Sequence, residues 1–437
     1  MKKNCLVIGG GLAGVEAAMQ LAREGIPVTL AEMKPVKFSP AHTNAGLAEL
    51  VCSNSLKAER LNSASGMLKA EMELLGSVCV AAAKECRVPA GGALAVDRDR
   101  FSEIITSRIE AEPLITVERR EITEIPEDTA VIVAAGPLVS QNLAQNISEL
   151  CGGMLSFFDA AAPIVTAESI DMENAFTASR YERGGEDDYI NCPLNKEEYE
   201  NFYNELVNAE RAQLHDFDKH VYEGCMPIEI MAQRGIDTIR FGPLRPVGLR
   251  DPRTGHRPWA VLQLRRENAA GTLYNLVGFQ TNLKFGEQKR VFSMFPALKN
   301  AEFVRYGVMH RNTFINSPKL LEPTMKLRER DKLFFAGQIT GVEGYMESAA
   351  SGIIAGINAA RKIKGEEPFV LPAETMIGAL CDYVSCGDSI HDFQPMGANF
   401  GILPSLETHI RDKKLRYEAL AQRGLEALKN IIGGNQE

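Results

Sequence analysis

No run of eighteen or more apolar residues occurs in these 437 residues, so nothing in the sequence is long enough to form a membrane-spanning helix. The opening Met-Lys-Lys-Asn-Cys-Leu-Val-Ile starts like a secretory leader. Glycines at 9, 10 and 11 and then Glu16 cut its apolar stretch too short for one, and a cytoplasmic protein is expected. A disulfide framework is missing too: nine cysteines leave one over from any full pairing. In the cytosol they would be thiols, so a special one must be recognised by its setting. There is no internal repeat, no low-complexity segment and no expected metal site. A net charge of −9 excludes a uniformly basic nucleic-acid binder but leaves room for a local basic face.

What is present begins with length. At 437 residues and 45% hydrophobic, the chain can bury a large core spread over two or three domains. Its charge is unevenly placed. Glu168 to Glu223 holds fifteen acidic and five basic residues, whereas Gly224 to Arg266 holds eight arginines and three acids. The arginines are Arg234, Arg240, Arg245, Arg250, Arg253, Arg257, Arg265 and Arg266. Two readings stand: a solvated surface with a few ion pairs, or a face that binds phosphates.

Leu6-Val7-Ile8 ends in glycine and reads as a buried parallel strand. Helical spacing follows through Val15, Ala18, Met19 and Ala22, Gly25 closes it, and Val28 to Ala31 give a second strand. A loop with Pro35 and Pro40 leads to Cys52-Ser53-Asn54-Ser55, from which a helix is predicted to Leu75. Asp97 to Glu112 reads as a helix and Ala130 to Ala134 as a strand. After about residue 160 the βα rhythm gives way to Pro-, Gly- and Arg-rich sequence with strand-like pieces at Trp259 to Leu264 and Thr272 to Gly278. It returns with a strand at Leu333 to Gly337, a helix from about Glu343 to Lys362 and a closing helix from Lys413 to Ile432. The expected fold is α/β: a nucleotide-binding domain (1–160 and 306–437) interrupted by an inserted α+β domain (161–305) facing substrate.

Gly9, Gly11 and Gly14 follow a strand and open a helix, the context a dinucleotide fingerprint requires. Gly9 allows the tight turn, Gly11 lets backbone amides approach a pyrophosphate, and Gly14 lets helix and strand pack closely. The phosphates would sit at the helix start, over Gly9, Gly10, Gly11, Leu12, Ala13 and Gly14. Glu32 would take the ribose hydroxyls. Leu333 to Gly341 resembles the second FAD segment of glutathione-reductase-type flavoproteins, which makes the domain a Rossmann-like FAD-binding one. That segment commonly ends in Gly-Asp, and here it carries Gly337-Gln338, with Gly341 after it. Gly136, at the end of the strand from Ala130, completes the expected cofactor contacts. No second glycine fingerprint for NAD(P)H is found.

Two cysteines stand at predicted helix starts. Cys52 precedes three good N-cap residues, and Cys225 lies in Gly224-Cys225-Met226-Pro227-Ile228-Glu229, where Pro227 suits a first helical turn. A helix N-terminus lowers a thiol's pKa and populates thiolate. The ordinary reading of a cysteine, a small buried hydrophobe, is kept for Cys5, Cys79, Cys151 and Cys192. Cys381 and Cys386 have the spacing of a disulfide-reductase pair but lie far from the fingerprint, and are read as inert.

Together these segments, with Gly337-Gln338-Ile339-Thr340-Gly341-Val342-Glu343-Gly344-Tyr345, resemble the folate- and FAD-dependent tRNA (uracil-5-)-methyltransferases over essentially the whole chain. The flavin motifs alone are shared with a larger enzyme that modifies wobble uridine and carries a long extra C-terminal region. The resemblance implies that 5,10-methylenetetrahydrofolate gives a one-carbon unit, by way of reduced FAD, to C5 of uridine 54 in the tRNA T-loop. NAD(P)H would supply the electrons. It further implies Cys225 as nucleophile and Cys52 as its partner, an order the residues themselves leave open. His310 resembles a position that packs on the folate pterin, and is equally readable as an ordinary histidine. Arg234, Arg240, Arg245, Arg250, Arg253 and Arg257 would hold RNA phosphates. The chemistry suits the residue types: C5 of uracil becomes nucleophilic once a thiolate adds at C6. Three alternatives remain at this level: the same chemistry on ribosomal RNA, a flavin-dependent thiol oxidoreductase, and a non-catalytic flavin-bound RNA-binding protein.

Overall fold

The computed structural model describes residues 4–182, Gly185, 188–212, 226–386 and 393–434. The chain opens with β1 (Cys5–Ile8), α1 (Leu12–Arg23) and β2 (Val28–Glu32), then β3 (Ser55–Ala58), α2 (Ala64–Leu74) and α3 (Val78–Glu85). It continues through β4 (Arg87–Val88), β5 (Ala93–Val96), α4 (Arg98–Ala111), β6 (Ile115–Arg119), β7 (Ala130–Val133) and α5 (Gln141–Cys151). The first sheet has the order β16-β7-β1-β2-β6, β16 being Leu333–Phe335, and every pairing in it is parallel. Its central strand β1 is buried along its whole length, as a strand covered on both faces must be.

Between β7 and β16 the chain leaves this sheet and returns. It departs on β8 (Leu155–Ala160) and comes back on β15 (Met309–Phe314), an antiparallel pair running Met309 against Ala160 to Phe314 against Leu155. Beyond lies a second sheet built from β9 (Ile164–Thr166), β10 (Phe176–Thr177), β11 (Tyr189–Leu194), β12 (Ala260–Arg266), β13 (Leu273–Leu276) and β14 (Phe303–Arg305). Its order is β10-β11-β12-β13-β9-β14 and it is antiparallel throughout. Helices α6 (Lys196–Asn208), α7 (Ile228–Ala232), α8 (Ile236–Phe241) and α9 (Phe285–Phe292) belong to this part. Its core is separate from that of the first sheet, and it centres on Phe202, Phe279, Phe292 and Phe295, whose rings meet at 4.9–6.1 Å.

The return completes the first unit with α10 (Ser317–Leu320), β16, α11 (Tyr345–Lys364), α12 (Met376–Tyr383) and α13 (Lys413–Gly434). Helix α11 crosses α1 at backbone contact: a Cβ on Gly352 would overlap the Ala13 carbonyl, and one on Gly356 would lie 2.7 Å from the Ala17 oxygen. That close crossing brings the N-termini of α1 and α11 to one place. Among the described residues no helix is long and apolar enough to cross a membrane.

One expected element is not there. The helix predicted from Cys52 to Leu75 is replaced by the strand β3 and, after a turn, by α2, whose N-cap is Ser63. The physical reason is that Ser53 and Asn54 spend their side chains on a distant arginine rather than on the N–H groups of a following helix. Cys52 therefore does not stand at the start of the helix expected to follow it.

Candidate functional site: a dinucleotide cavity with Cys52 at its edge

The turn after β1 and the start of α1 form the floor of an open cavity, about 1100 Å³ with the solvent at its mouth included. Gly9, Gly10, Gly11, Leu12, Ala13, Glu32, Gly136, Gly337 and Gln338 all line it; Gly14 and Gly341 do not. Gly14 acts from behind, since a Cβ there would overlap the Gly9 carbonyl oxygen and push helix from strand. At Gly11 a Cβ would meet no protein atom within 4 Å, so the space it faces is free for a ligand. Glu32 is buried at the end of β2, its Oε2 accepting from the Gly10 N–H at 2.7 Å and its Oε1 from the Lys34 N–H at 2.9 Å. Two helix starts, Leu12–Ala13 and Tyr345–Ser348, open onto the cavity and favour negative charge there. This donor set fits a dinucleotide with a pyrophosphate at its middle.

Several lining residues were not singled out from sequence. Lys34 and Glu49 form a buried ion pair at 3.1 Å, and Lys34 also donates to the Gly46 carbonyl at 2.8 Å. His42 holds Ser39 Oγ through Nδ1 at 2.5 Å; burial, and then the Lys34 ammonium, lower its pKa, so a neutral imidazole faces the cavity. Lys34, His42 and Glu49 belong to no local motif, and no spacing rule could have found them.

Cys52 sits at the edge of this cavity, between Val51, which lines it, and the inserted sheet. The hydroxyl of Tyr345, another lining residue, accepts the N–H groups of Cys52 at 2.8 Å and Ser53 at 3.2 Å. With its oxygen lone pairs so used, the phenolic hydrogen is left for the Cys52 sulfur, 3.1 Å away. Burial, and then the charge of that sulfur, push the Tyr345 phenol well above its ordinary value, so it remains a donor.

Three arginines hold the same loop. Arg98 donates to the carbonyls of Leu50 at 2.8 Å and Val51 at 3.2 Å, and forks onto Glu267 at 2.7 and 3.2 Å. Arg265 reaches Asn54 Oδ1 at 2.9 Å and Ser53 Oγ at 2.8 Å, and Arg305 reaches the Val51 carbonyl at 2.9 Å. The electropositive setting expected of a helix start is thus supplied at Cys52 by guanidinium groups, two of them from the inserted part.

Cys225 lies outside the described residues. Just beyond it, Met226 and Pro227 lead into the five-residue helix α7, with Pro227 at its N-cap. Glu229 anchors that start, accepting from Thr281 Oγ1 at 2.9 Å and the Asn282 N–H at 2.7 Å. His310 is on β15, opposite Asp159, and its side chain is also outside what is described. The remaining candidates are spread over the inserted part. Arg253 is clipped to Asp251 at 2.7 and 3.0 Å, and Arg240 lies 3.8 Å over the Trp259 ring. Arg234, Arg245, Arg250 and Arg257 are exposed. Cys5, Cys79, Cys151 and Cys192 are buried free thiols. Cys381 is buried on α12, and its thiol is pushed up to about 12 by that burial; Cys386, half-buried beyond the helix, donates its thiol to the Tyr383 carbonyl at 3.2 Å.

The family model for glucose inhibited division protein A matches residues 4–367. A methylenetetrahydrofolate--tRNA-(uracil-5-)-methyltransferase TrmFO of Enterococcus faecalis is 58% identical over 434 residues, 99% of each chain. The protein of the same name from Acetivibrio thermocellus is 59% identical over 428 residues, 98% of each chain. The chain belongs to the folate-dependent tRNA (uracil-5-)-methyltransferase family. Among solved structures, GidA of Aquifex aeolicus has a TM-score of 0.70 at 19% identity, covering 99% of this chain and 78% of that one. At that identity the likeness speaks for the fold, and it is the flavoprotein fold expected: a parallel nucleotide-binding sheet interrupted by an insertion.

Proposed function

We propose that this chain methylates uridine 54 in the T-loop of tRNA, with Cys52 and Cys225 as its reactive thiols. The family's reaction moves a one-carbon unit from 5,10-methylenetetrahydrofolate to C5 of uridine in tRNA, with FAD as cofactor and NAD(P)H as reductant. FAD, when bound, supplies the redox chemistry of that transfer. The turn Gly9–Ala13 would hold its pyrophosphate, and Glu32, in the place of a ribose acid, would accept its ribose hydroxyls. Residues 161–305 form the inserted domain facing RNA, and the enzyme works in the cytoplasm.

The observation that carries the thiol assignment is the setting of Cys52, beside the cavity wall, a phenol donor and three guanidinium groups. One cysteine thiolate adds to C6 of uracil, and another group removes the proton that C5 must lose. The residues leave both assignments of Cys52 and Cys225 to these roles open. His310 is the candidate for the pterin, and Arg234, Arg240, Arg245, Arg250, Arg253 and Arg257 for RNA phosphates.

The test is incubation of the holoenzyme with unmodified tRNA, methylenetetrahydrofolate and NADPH, followed by nucleoside analysis. 5-Methyluridine at position 54 is expected, and its absence sinks the reading. With tRNA containing 5-fluorouridine, fluorine replaces the departing C5 proton and the adduct cannot resolve. A stable protein–RNA complex should form, and it should vanish in whichever of Cys225→Ala and Cys52→Ala lacks the nucleophile.

A further inference from the structure

The second sheet has faces of opposite character. One sends Ile190, Cys192, Leu194, Leu262, Leu264 and Leu276 into its own core. The other carries Asn191, Gln263, Arg265 and Asn275, all buried. Pairing register aligns a row across that polar face: Tyr189 opposite Arg265, Arg265 opposite Asn275, Asn275 opposite Ile164, and Ile164 opposite Arg305. Directly opposed residues on antiparallel strands stand side by side, with Cβ atoms about 4.5–5.5 Å apart. Arg265 holds Ser53 and Asn54, and Arg305 holds Val51. Asn275 therefore stands next to Arg265 in that row, with Ile164 between it and Arg305; the partners of these two arginines flank Cys52.

The polar neighbours of Asn275 are bonded. Tyr189 donates to the Ala90 carbonyl at 2.9 Å, Asn191 to the Ala178 carbonyl at 3.0 Å and Gln263 to Asn191 at 3.0 Å, while Gln263 accepts from Arg180 at 2.7 Å. Asn275 is the exception. It is only 3% exposed, and its amide nitrogen has no hydrogen-bond partner among the described residues. A buried unbonded amide destabilises the fold, and its place next to Arg265, the arginine that holds Ser53 and Asn54 after Cys52, calls for a ligand that satisfies it.

We propose that Asn275 recognises the C4 carbonyl and N3–H edge of the target uracil. The assignment rests on the reading of the chain as a uridine methyltransferase, and it deepens that reading by naming a specificity residue. A carboxamide matches this edge with one donor and one acceptor: Nδ2–H to O4, and Oδ1 from N3–H. When a thiolate adds, a sulfur–C6 bond forms and the C5=C6 electron pair becomes a C4=C5 bond. The C4=O pair moves onto O4, so the thiolate's negative charge ends on that oxygen with no proton moved. The Asn275 donor then binds O4 more strongly than in the ground state, with Arg265 beside it on the next strand, which is the condition for accelerating the step. The pterin of the folate presents the same carbonyl and N–H pair, so the experiment must tell the two apart.

Asn275→Leu removes both hydrogen bonds at similar volume. In the holoenzyme it should keep FAD content, tRNA affinity and the KM for methylenetetrahydrofolate. It should also lower kcat about 10²- to 10³-fold, as loss of one oxyanion donor does, and reduce complex formation with 5-fluorouridine tRNA in proportion. Asn275→Asp supplies a readout that a structural role would not move. A carboxylate only accepts, so it repels O4 and suits the amino group of cytosine. The ratio of cytidine to uridine methylation should rise at least tenfold with tRNA carrying cytidine at position 54. An unchanged ratio overturns the assignment, as does a native kcat in Asn275→Leu, or a loss confined to the folate KM. If Asn275→Leu does not fold, the ratio in Asn275→Asp decides alone. Failure of the native enzyme to make 5-methyluridine would instead overturn the function itself.

Discussion

The hydroxyl of Tyr345 stands 3.1 Å from the sulfur of Cys52 across 293 residues of sequence, and it also receives the backbone N–H groups of Cys52 and Ser53. One phenol thus fixes the loop and solvates its thiol. A hydrogen bond to a charged group contributes about 1.5–3 kcal/mol, equivalent to a roughly ten- to hundredfold change in thiolate population. Tyr345→Phe should lower the alkylation rate of Cys52 by that order at fixed pH, read by peptide mass spectrometry. Methyl transfer should fall with it. Unchanged alkylation would mean that the phenol serves the backbone alone.

The glycines of the first turn should fail for different reasons. Gly11 faces the cavity with no protein atom near its missing Cβ, whereas Gly14 lies against the Gly9 carbonyl. Gly11→Ala should fold with a native melting temperature and emerge with little flavin. Gly14→Ala should lose flavin and stability together, because helix and strand must separate. Equal melting temperatures in the two variants, measured without FAD, would contradict the close packing assigned to Gly14.

The exposed arginines make a graded claim. Arg245 and Arg257 are exposed, while Arg253 is tied to Asp251 and Arg240 to Trp259. If the segment holds RNA phosphates, log affinity should fall linearly with log salt, with a slope near −0.7 to −0.9 for each phosphate contact. Arg245→Glu with Arg257→Glu should flatten that slope by roughly one to two and leave FAD content alone. A flat salt response in the native protein returns the segment to solvated surface.

The first βαβ unit was readable because its signals are local. A buried strand, glycines at fixed spacing and a helical period are properties of about thirty consecutive residues, and β1, α1 and β2 follow them closely. The return of the sheet at Leu333–Phe335 was legible for the same reason. Cys52 shows where that logic stops. Ser53, Asn54 and Ser55 have the composition of a helix cap, but small polar side chains serve any nearby donor. Here Ser53 and Asn54 accept from Arg265, more than two hundred residues later. Arg98, Arg305 and Tyr345 meet the same loop only through the tertiary fold, so no spacing in the chain announces them. Asn275 is more hidden still, since its meaning comes from register across the sheet and from a missing partner.

Glu71 ties α2 to the C-terminal helices. Its side chain is fully buried and accepts the first N–H groups of α12, from Met376 at 2.7 Å and Ile377 at 2.9 Å. Burial pushes its carboxyl up to about 8, against those two N–H groups, which favour the anion. A carboxyl whose folded pKa lies above the unfolded value, about 4.3, is bound by the fold in its protonated form. Its contribution is therefore complete below about pH 4.3 and is lost as pH rises towards 8. Glu71→Gln cannot titrate, so its melting temperature should gain on that of the native protein between pH 5 and pH 8. Taking the difference between the two proteins cancels every other titrating group. Glu71→Leu makes the complementary case, because it orphans both N–H groups at about 1–3 kcal/mol each, at any pH. Its deficit should stay constant relative to Glu71→Gln across the range. If the native protein instead gains on Glu71→Gln as pH rises, the N–H groups and the helix start outweigh burial, and Glu71 caps α12 as an anion.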